Sequence, residues 1–135
     1  MILEYVTGSL GAPTTLFVLT RRGGDSVALR AAILPPADSL AGQLARFLAL
    51  IQHGQDGGLG REFGRALLDP AQAELGAGVT RLVVVPDGPL HRVPWDLLRL
   101  ADGRYVVERY AVSVAPSTGR IIRGEASDEE EESAP

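Results

Sequence analysis

The side chains in this sequence that could act as a catalytic base include two histidines. His53 stands in a His-Gly step, and His91 precedes Asp96 closely enough for the carboxylate to orient the imidazole. Peptide-bond attack by a thiol also needs a thiolate, and the sequence contains no cysteine. Because His53 follows a helical pattern of apolar residues, we interpret it as a helix-end residue favoured by the helix dipole. We interpret His91 as a packed or surface residue of a turn, and we predict no catalytic residue.

Two glycine-rich segments match known functional motifs only in part. Residues 7–11 lack the first glycine of Gly-x-Ser-x-Gly, and residues 58–64 have one residue too many for Gly-x-Gly-x-x-Gly. Neither segment stands at the strand-to-helix turn that these motifs require, and we predict a hairpin for the first. All 13 basic residues are arginine, which excludes a Schiff-base or P-loop lysine. Two distant histidines without a cysteine do not make a zinc site, so we expect no cofactor and no metal.

The element that organises the chain is an unbroken apolar run at residues 82–85, which stops at Pro86, Asp87 and Gly88. A β-branched run without polar alternation is typical of a strand covered on both faces in a parallel sheet. Pro86 ends the strand because it cannot donate to a ladder, and Asp87-Gly88 supplies a turn. Pro94 then favours a first helical turn. Trp95 follows as an apolar anchor, which we interpret as a core residue.

The flanking segments predict the rest of an α/β fold. Short apolar runs at residues 2–6, 15–20 and 27–34 predict an antiparallel meander, because Gly- and Pro-rich turns separate them. Two amphipathic helices are predicted next, with stripes over residues 40–51 and 59–67.

The C-terminal part divides into a strand region and an acidic tail. We predict strand over residues 105–114 and a helix start at Ser117. Residues 124–135 change to Glu, Asp, Ser and Ala, which is typical of a self-repelling disordered segment. The predicted domain therefore covers residues 1–123, with residues 124–135 as the acidic disordered tail.

The strand and turn around residues 82–98 resemble the opening of the CHAT domain, a caspase-like and separase-like cysteine peptidase family often linked to TPR repeats. The matching positions are Pro86, Asp87, Gly88, Leu90, Pro94, Trp95, Leu98, Pro116 and Ser117. The similarity extends over roughly residues 2–122 and covers the first half of the family's domain. It implies a mainly parallel caspase-like sheet, with the N-terminal meander as an extension. It also implies that the catalytic His and Cys lie beyond the C-terminus of this sequence.

Two functions follow from this resemblance. The first is a non-catalytic N-terminal portion of a CHAT-type peptidase domain, which scaffolds a catalytic half absent from this chain. The alternative is a stand-alone, degenerate CHAT-like module that binds a protein partner in bacterial signalling or defence. In the caspase-like arrangement the strand with the catalytic His lies beside residues 82–85. We therefore expect a partner edge there, for self-association or for a second polypeptide, formed by Leu82, Val83, Val84 and Val85. In a monomer the meander or the strand at residues 105–114 would have to cover this edge.

The amino-acid composition also bears on nucleic acid and membrane as partners. The net charge is −4, but the segment 125–132 holds six of the 17 acidic residues, and the remaining 11 nearly balance the 13 arginines. This balance gives no electrostatic basis for nucleic-acid binding. No apolar run approaches ~18 residues, and no basic, apolar leader is present, so we expect no membrane span and a cytoplasmic location.

Overall fold

A five-stranded mixed sheet with helices on one face forms the part of the chain that the computed structural model describes, residues 1–21, 26–76 and 78–116. The strands are β1 (Ile2–Val6), β2 (Pro13–Arg21), β3 (Val27–Pro36), β4 (Arg81–Val85) and β5 (Ala111–Val114). The α-helices are α1 (Ala37–Gln52), α2 (Leu59–Leu67) and the short α3 (Val106–Arg109). Three 3-10 turns lie at Asp69–Ala71, Gly88–Arg92 and Trp95–Leu97.

The strand order is β3-β2-β1-β4-β5. Strands β1, β2 and β3 pair antiparallel, which confirms the predicted meander. Strand β4 pairs parallel with β1 on one side and with β5 on the other. The α/β class is therefore confirmed, and the sheet is mixed because the meander contributes its antiparallel half.

The core lies on one face of the sheet, which we call the inner face. Alternate residues of the strands point toward it, as the period of two in a pleated strand requires. The inward residues of β1, β2 and β4 are Leu3, Tyr5, Leu16, Val18, Leu82 and Val84, all at most 1% exposed. They belong to one apolar cluster with α1 and α2, whose Phe47 and Phe63 rings stack with centroids 5.7 Å apart.

The opposite face, which we call the outer face, contributes no residue to this core cluster. Val83 on β4 is only half-buried, and Leu29 and Ile33 on β3 are 65% and 71% exposed. Among the described residues, the expectation that the central strand is covered on both faces is therefore wrong at Val83, whereas Val85 on the same face is 4% exposed. The unbroken apolar run of β4 indicated two covered faces, whereas only its inner face packs against helices.

The connection from β4 to β5 differs from the prediction in one element. Residues 106–109 form α3 instead of a strand, although Val106 and Val107 favour strand. The backbone N–H of Tyr105 donates to the Glu108 carboxylate at 2.8 Å, a bond that satisfies a donor at the helix start. Only the strand prediction for residues 111–114 is confirmed. The predicted helix start at Ser117 and the acidic tail lie outside the described residues.

Candidate functional site

The carboxyl ends of β1 and β4 form the topological switch point of this sheet. These two strands are parallel neighbours, yet the chain continues from β1 to β2 on one side and from β4 to β5 on the other. In open α/β sheets, ligands commonly bind in the crevice at such a point. The motif Pro86-Asp87-Gly88 follows β4 directly, so the structure places it there.

Asp87 connects the two strand ends through Thr7. The backbone N–H and the Oγ1 hydroxyl of Thr7 both donate to Oδ2 of Asp87, each at 2.8 Å. These two bonds hold the pKa of Asp87 below its usual value, and the nearby charge of His91 adds a smaller effect in the same direction. Gly88 has φ +54°, and a Cβ built on it would lie 3.2 Å from Thr7 Oγ1. The motif therefore has a structural role: Asp87, in the turn after β4, holds Thr7, which directly follows β1.

The two histidines take the structural places that the sequence favours. His53 is exposed at the C-terminus of α1, where its backbone N–H donates to the carbonyl of Leu50 at 3.0 Å. His91 is exposed in the 3-10 turn Gly88–Arg92. In the described part of the chain no hydrogen bond joins His91 to Asp96. Among the described residues, the structure therefore does not form the hydrogen-bonded pair of His91 and Asp96.

The remaining motif residues anchor the β4–β5 connection to the core. Leu90 and Leu98 are fully buried, and Trp95 is 5% exposed with its ring centroid 5.2 Å from that of Tyr5. The Tyr5 hydroxyl in turn donates to the carbonyl of Leu67 at 2.6 Å, and burial raises the pKa of this phenol. Pro86 is buried, Pro94 half-buried and Pro116 exposed, while Ser117 lies outside the described residues.

The glycines of α2 have a packing role that the sequence prediction missed. Gly60 and Gly64 lie one turn apart and face the chain segment after the Trp95–Leu97 turn. The Arg99 N–H donates to the Gly60 carbonyl at 3.0 Å, and a Cβ built on Gly64 would overlap the Arg99 carbonyl oxygen. Arg61 donates to that same oxygen at 3.0 Å. The four-residue spacing of glycines in an amphipathic helix was the available signal for such close packing.

Strand β4 has no free edge, which corrects the expectation of a partner edge at residues 82–85. Ile2, Leu3 and Glu4 of β1 pair with Val83, Val84 and Val85. On the other side Leu82, Val83 and Val84 pair with Val112, Ser113 and Val114 of β5. Strands β1 and β5 therefore occupy both places beside β4, where the resemblance implied the strand with the catalytic His. The sequence run alone could not show this, because strand neighbours are set by contacts distant in the chain.

The edges of the sheet are instead β3 and β5. In the parallel pair, the N–H of Ala111 donates to Thr80 O and the N–H of Ala115 to Val84 O, both at 2.9 Å. Successive residues of a strand direct their backbone groups to opposite sides. The N–H groups of Val112 and Val114 therefore point away from β4, toward the open side of β5.

Two small clefts lie on the described part of the chain. Their volumes are about 150 and about 190 Å³, and the larger is bordered by Ile51, Asp56, Leu97 and Tyr105. Pockets for drug-sized ligands are usually at least ~300 Å³. Over the same described residues, no group of three or more His, Cys, Asp or Glu side chains is arranged to hold a metal ion. Nor is any helix in this part of the chain both long and apolar enough to cross a bilayer.

The fold and this site together define an α/β module in which the turn after β4 connects two strand ends and anchors the β4–β5 connection to the core. A family model described as the CHAT domain matches residues 58–135, which is more than half of the chain. The chain therefore belongs to the CHAT domain family. The comparisons with curated proteins and with solved structures returned no match.

Proposed function

We propose that this chain is the non-catalytic N-terminal portion of a CHAT-type, caspase-like cysteine peptidase domain. Its role is to scaffold a catalytic half that supplies the His and the Cys. The family match over residues 58–135 and the absence of cysteine from the sequence support this proposal. So does the position of the motif residues, which hold the β4–β5 connection on the core and leave chemistry to another segment.

The observation that carries the proposal is the open edge of β5. This strand pairs with β4, and within the described residues no strand pairs with its other side. Ala111, Ser113 and Val114 are exposed, and the outward N–H groups of Val112 and Val114 offer two donors to an added strand. A sheet edge of this kind binds extended segments by main-chain hydrogen bonds. We therefore assign β5, and not β4, as the strand that the catalytic half extends.

Calorimetric titration tests this assignment, using a polypeptide that comprises the C-terminal half of a CHAT domain with its strand-borne His and its Cys. Val114→Pro removes an outward N–H from an exposed edge position, where proline is tolerated in a sheet. We expect binding to weaken by about tenfold or more in Val114→Pro. The matched variant Ser113→Ala, whose N–H faces β4, should bind as the parent does. Equal affinities of all three chains, or no binding by the parent, would contradict the proposal.

A second candidate is favoured by the closed edges of β4. Because β1 and β5 already pair with both sides of β4, the module can complete its central pairing without another polypeptide. A stand-alone, degenerate CHAT-like module would then bind a folded protein partner in bacterial signalling or defence, in the cytoplasm. It would show no strand addition at β5, so the titration above separates the two candidates.

A further inference from the structure

The strand at the other edge of the sheet, β3, has few of the features that protect an edge strand. Charges, prolines, bulges or short length normally protect an edge from pairing with other chains. Strand β3 has ten residues, and its prolines lie at its end, in Pro35 and Pro36. Its single charge, Arg30, is directed to the inner face and held by Glu74, with Nη2 to Oε2 at 2.7 Å. In the described part of the chain, β3 pairs with β2 alone.

The outward side chains of β3 are also apolar and exposed. Val27, Leu29 and Ile33 are 61%, 65% and 71% exposed, and they share the outer face with Ala31. They continue an apolar row across the sheet, since Leu29 pairs with Leu19 and Leu19 with Ile2. An exposed, apolar edge next to an uncovered apolar face is a predicted association site.

The sequence of β3 specifies which partner fits this edge. When two antiparallel copies of β3 are aligned at Ala31, Leu29 of one copy lies opposite Ile33 of the other, and Ala28 opposite Leu34. A strand with this self-complementarity suits antiparallel pairing with its own copy about a twofold axis, in which each residue contacts its counterpart reciprocally. We propose that β3 pairs with β3 of a second copy of this chain, which joins two five-stranded sheets into one.

The charge of Arg30 selects the register of this pairing. Sliding one strand past the other by one residue would put outer-face side chains opposite inner-face ones, so the possible registers differ by a slide of two residues. Each such slide moves the twofold axis by one residue along the strand. Centring the axis on Arg30 brings two like charges into direct opposition, which is destabilising. Centring it on Ala32 places Pro35 opposite Leu29, and proline cannot donate to the ladder. Centring it on Ala31 places Arg30 opposite Ala32, pairs Leu29 with Ile33 and leaves Pro35 opposite Val27 at the end of the segment, so that residues 28–34 pair without a proline.

The size of this interface predicts a weak dimer. A paired segment of seven residues is ~23 Å long, and one strand edge covers ~230 Å² per copy, well below the ~800 Å² of a standard interface. We therefore expect self-association at concentrations between about 10 µM and about 1 mM. Because β3 and β5 lie at opposite edges of the sheet, this dimer and strand addition at β5 are independent of each other.

Sedimentation velocity over that concentration range tests the proposal with two matched double variants. In Leu29→Lys with Ile33→Lys, the proposed register places like charges opposite each other twice. In Leu29→Lys with Ile33→Glu, the same positions present opposite charges twice. Both positions are exposed in the single chain, so thermal melting should show both variants folded. We expect the dimer dissociation constant of the first variant to exceed that of the second by about tenfold or more.

Leu10→Lys serves as the control, because Leu10 is fully exposed at the tip of the β1–β2 hairpin, away from β3. It should dimerise as the parent does. If the parent chain stays monomeric at about 1 mM, the proposed pairing of β3 with β3 is wrong. So would a dimer that responds equally to both double variants, because its contact would then lie elsewhere or use another register.

Discussion

Replacing Gly64 by alanine tests how α2 is positioned against the rest of the core. A Cβ at this position would overlap the carbonyl oxygen of Arg99 and lie 3.0 Å from its carbonyl carbon. Backbone atoms are the obstacle, so rotation of a side chain cannot relieve the overlap. The helix would have to move away from residue 99, and the bond from the Arg99 N–H to Gly60 O would lengthen or break.

The expected cost follows from four contributions. Alanine in place of a helical glycine stabilises by about 0.5–1 kcal/mol. Overpacking of a tight contact costs about 1–3 kcal/mol, and the weakened hydrogen bond about 0.5–1.5 kcal/mol. The displaced carbonyl of Arg99 would also lose its bond from Arg61. We expect a net loss of about 2–3 kcal/mol in the free energy of unfolding, which lowers Tm by roughly 10 °C in a domain of this size.

Gly42→Ala provides the matched control. Gly42 also lies within a helix, α1, and a Cβ built on it meets nothing within 4 Å. Only the gain in helix propensity applies there, so Tm should rise by about 2–4 °C. Both variants can be melted side by side by circular dichroism. If Gly64→Ala also raised Tm, the close packing of α2 against residue 99 would be refuted.

Three further outcomes are expected. Val84→Ala should lower the free energy of unfolding by about 1–3 kcal/mol in urea titrations through cavity formation, and a Val84→Asp protein that melted like the parent would contradict the buried inner face. Because the pKa of Asp87 is lowered in the folded chain, its hydrogen bonds stabilise the fold fully at pH values above the ordinary pKa of aspartate. This contribution is lost as the pH falls through the lowered pKa. Thr7→Val removes one of the two bonds and should make stability less sensitive to acid, whereas an unchanged acid profile would argue against the connection. The purified chain should not cleave peptides, and cleavage that disappeared in His91→Ala would show that prediction to be wrong.

Local patterns predicted most of the elements correctly. The meander, both long helices, β4 and the turn after it depend on periodicity and on Pro and Gly positions that act within a few residues. The burial of Trp95 followed from the same reasoning. Helix α3 was missed because one side-chain hydrogen bond, which the Tyr105 N–H donates to the Glu108 carboxylate, outweighs a weak strand preference in two valines.

The neighbours of β4 could not be predicted from its own residues. An apolar run is compatible with a central strand and with an edge strand. On one side β4 pairs with β1, which lies about 80 residues earlier in the chain. For the same reason the sequence did not indicate which face of the sheet stays uncovered. At the switch point, Thr7 and Asp87 are also 80 residues apart, so their bond was not visible in either motif alone.

Amide hydrogen exchange at β5 tests whether the catalytic half pairs with this strand. The isotope-labelled chain is measured alone and with the unlabelled C-terminal half of a CHAT domain. We predict fast exchange at Val112 and Val114 in the free chain and strong protection of both amides in the mixture, with Ala111 protected throughout by its bond to Thr80 O. Protection of Val112 and Val114 already in the free monomer, or no change on mixing, would contradict the account.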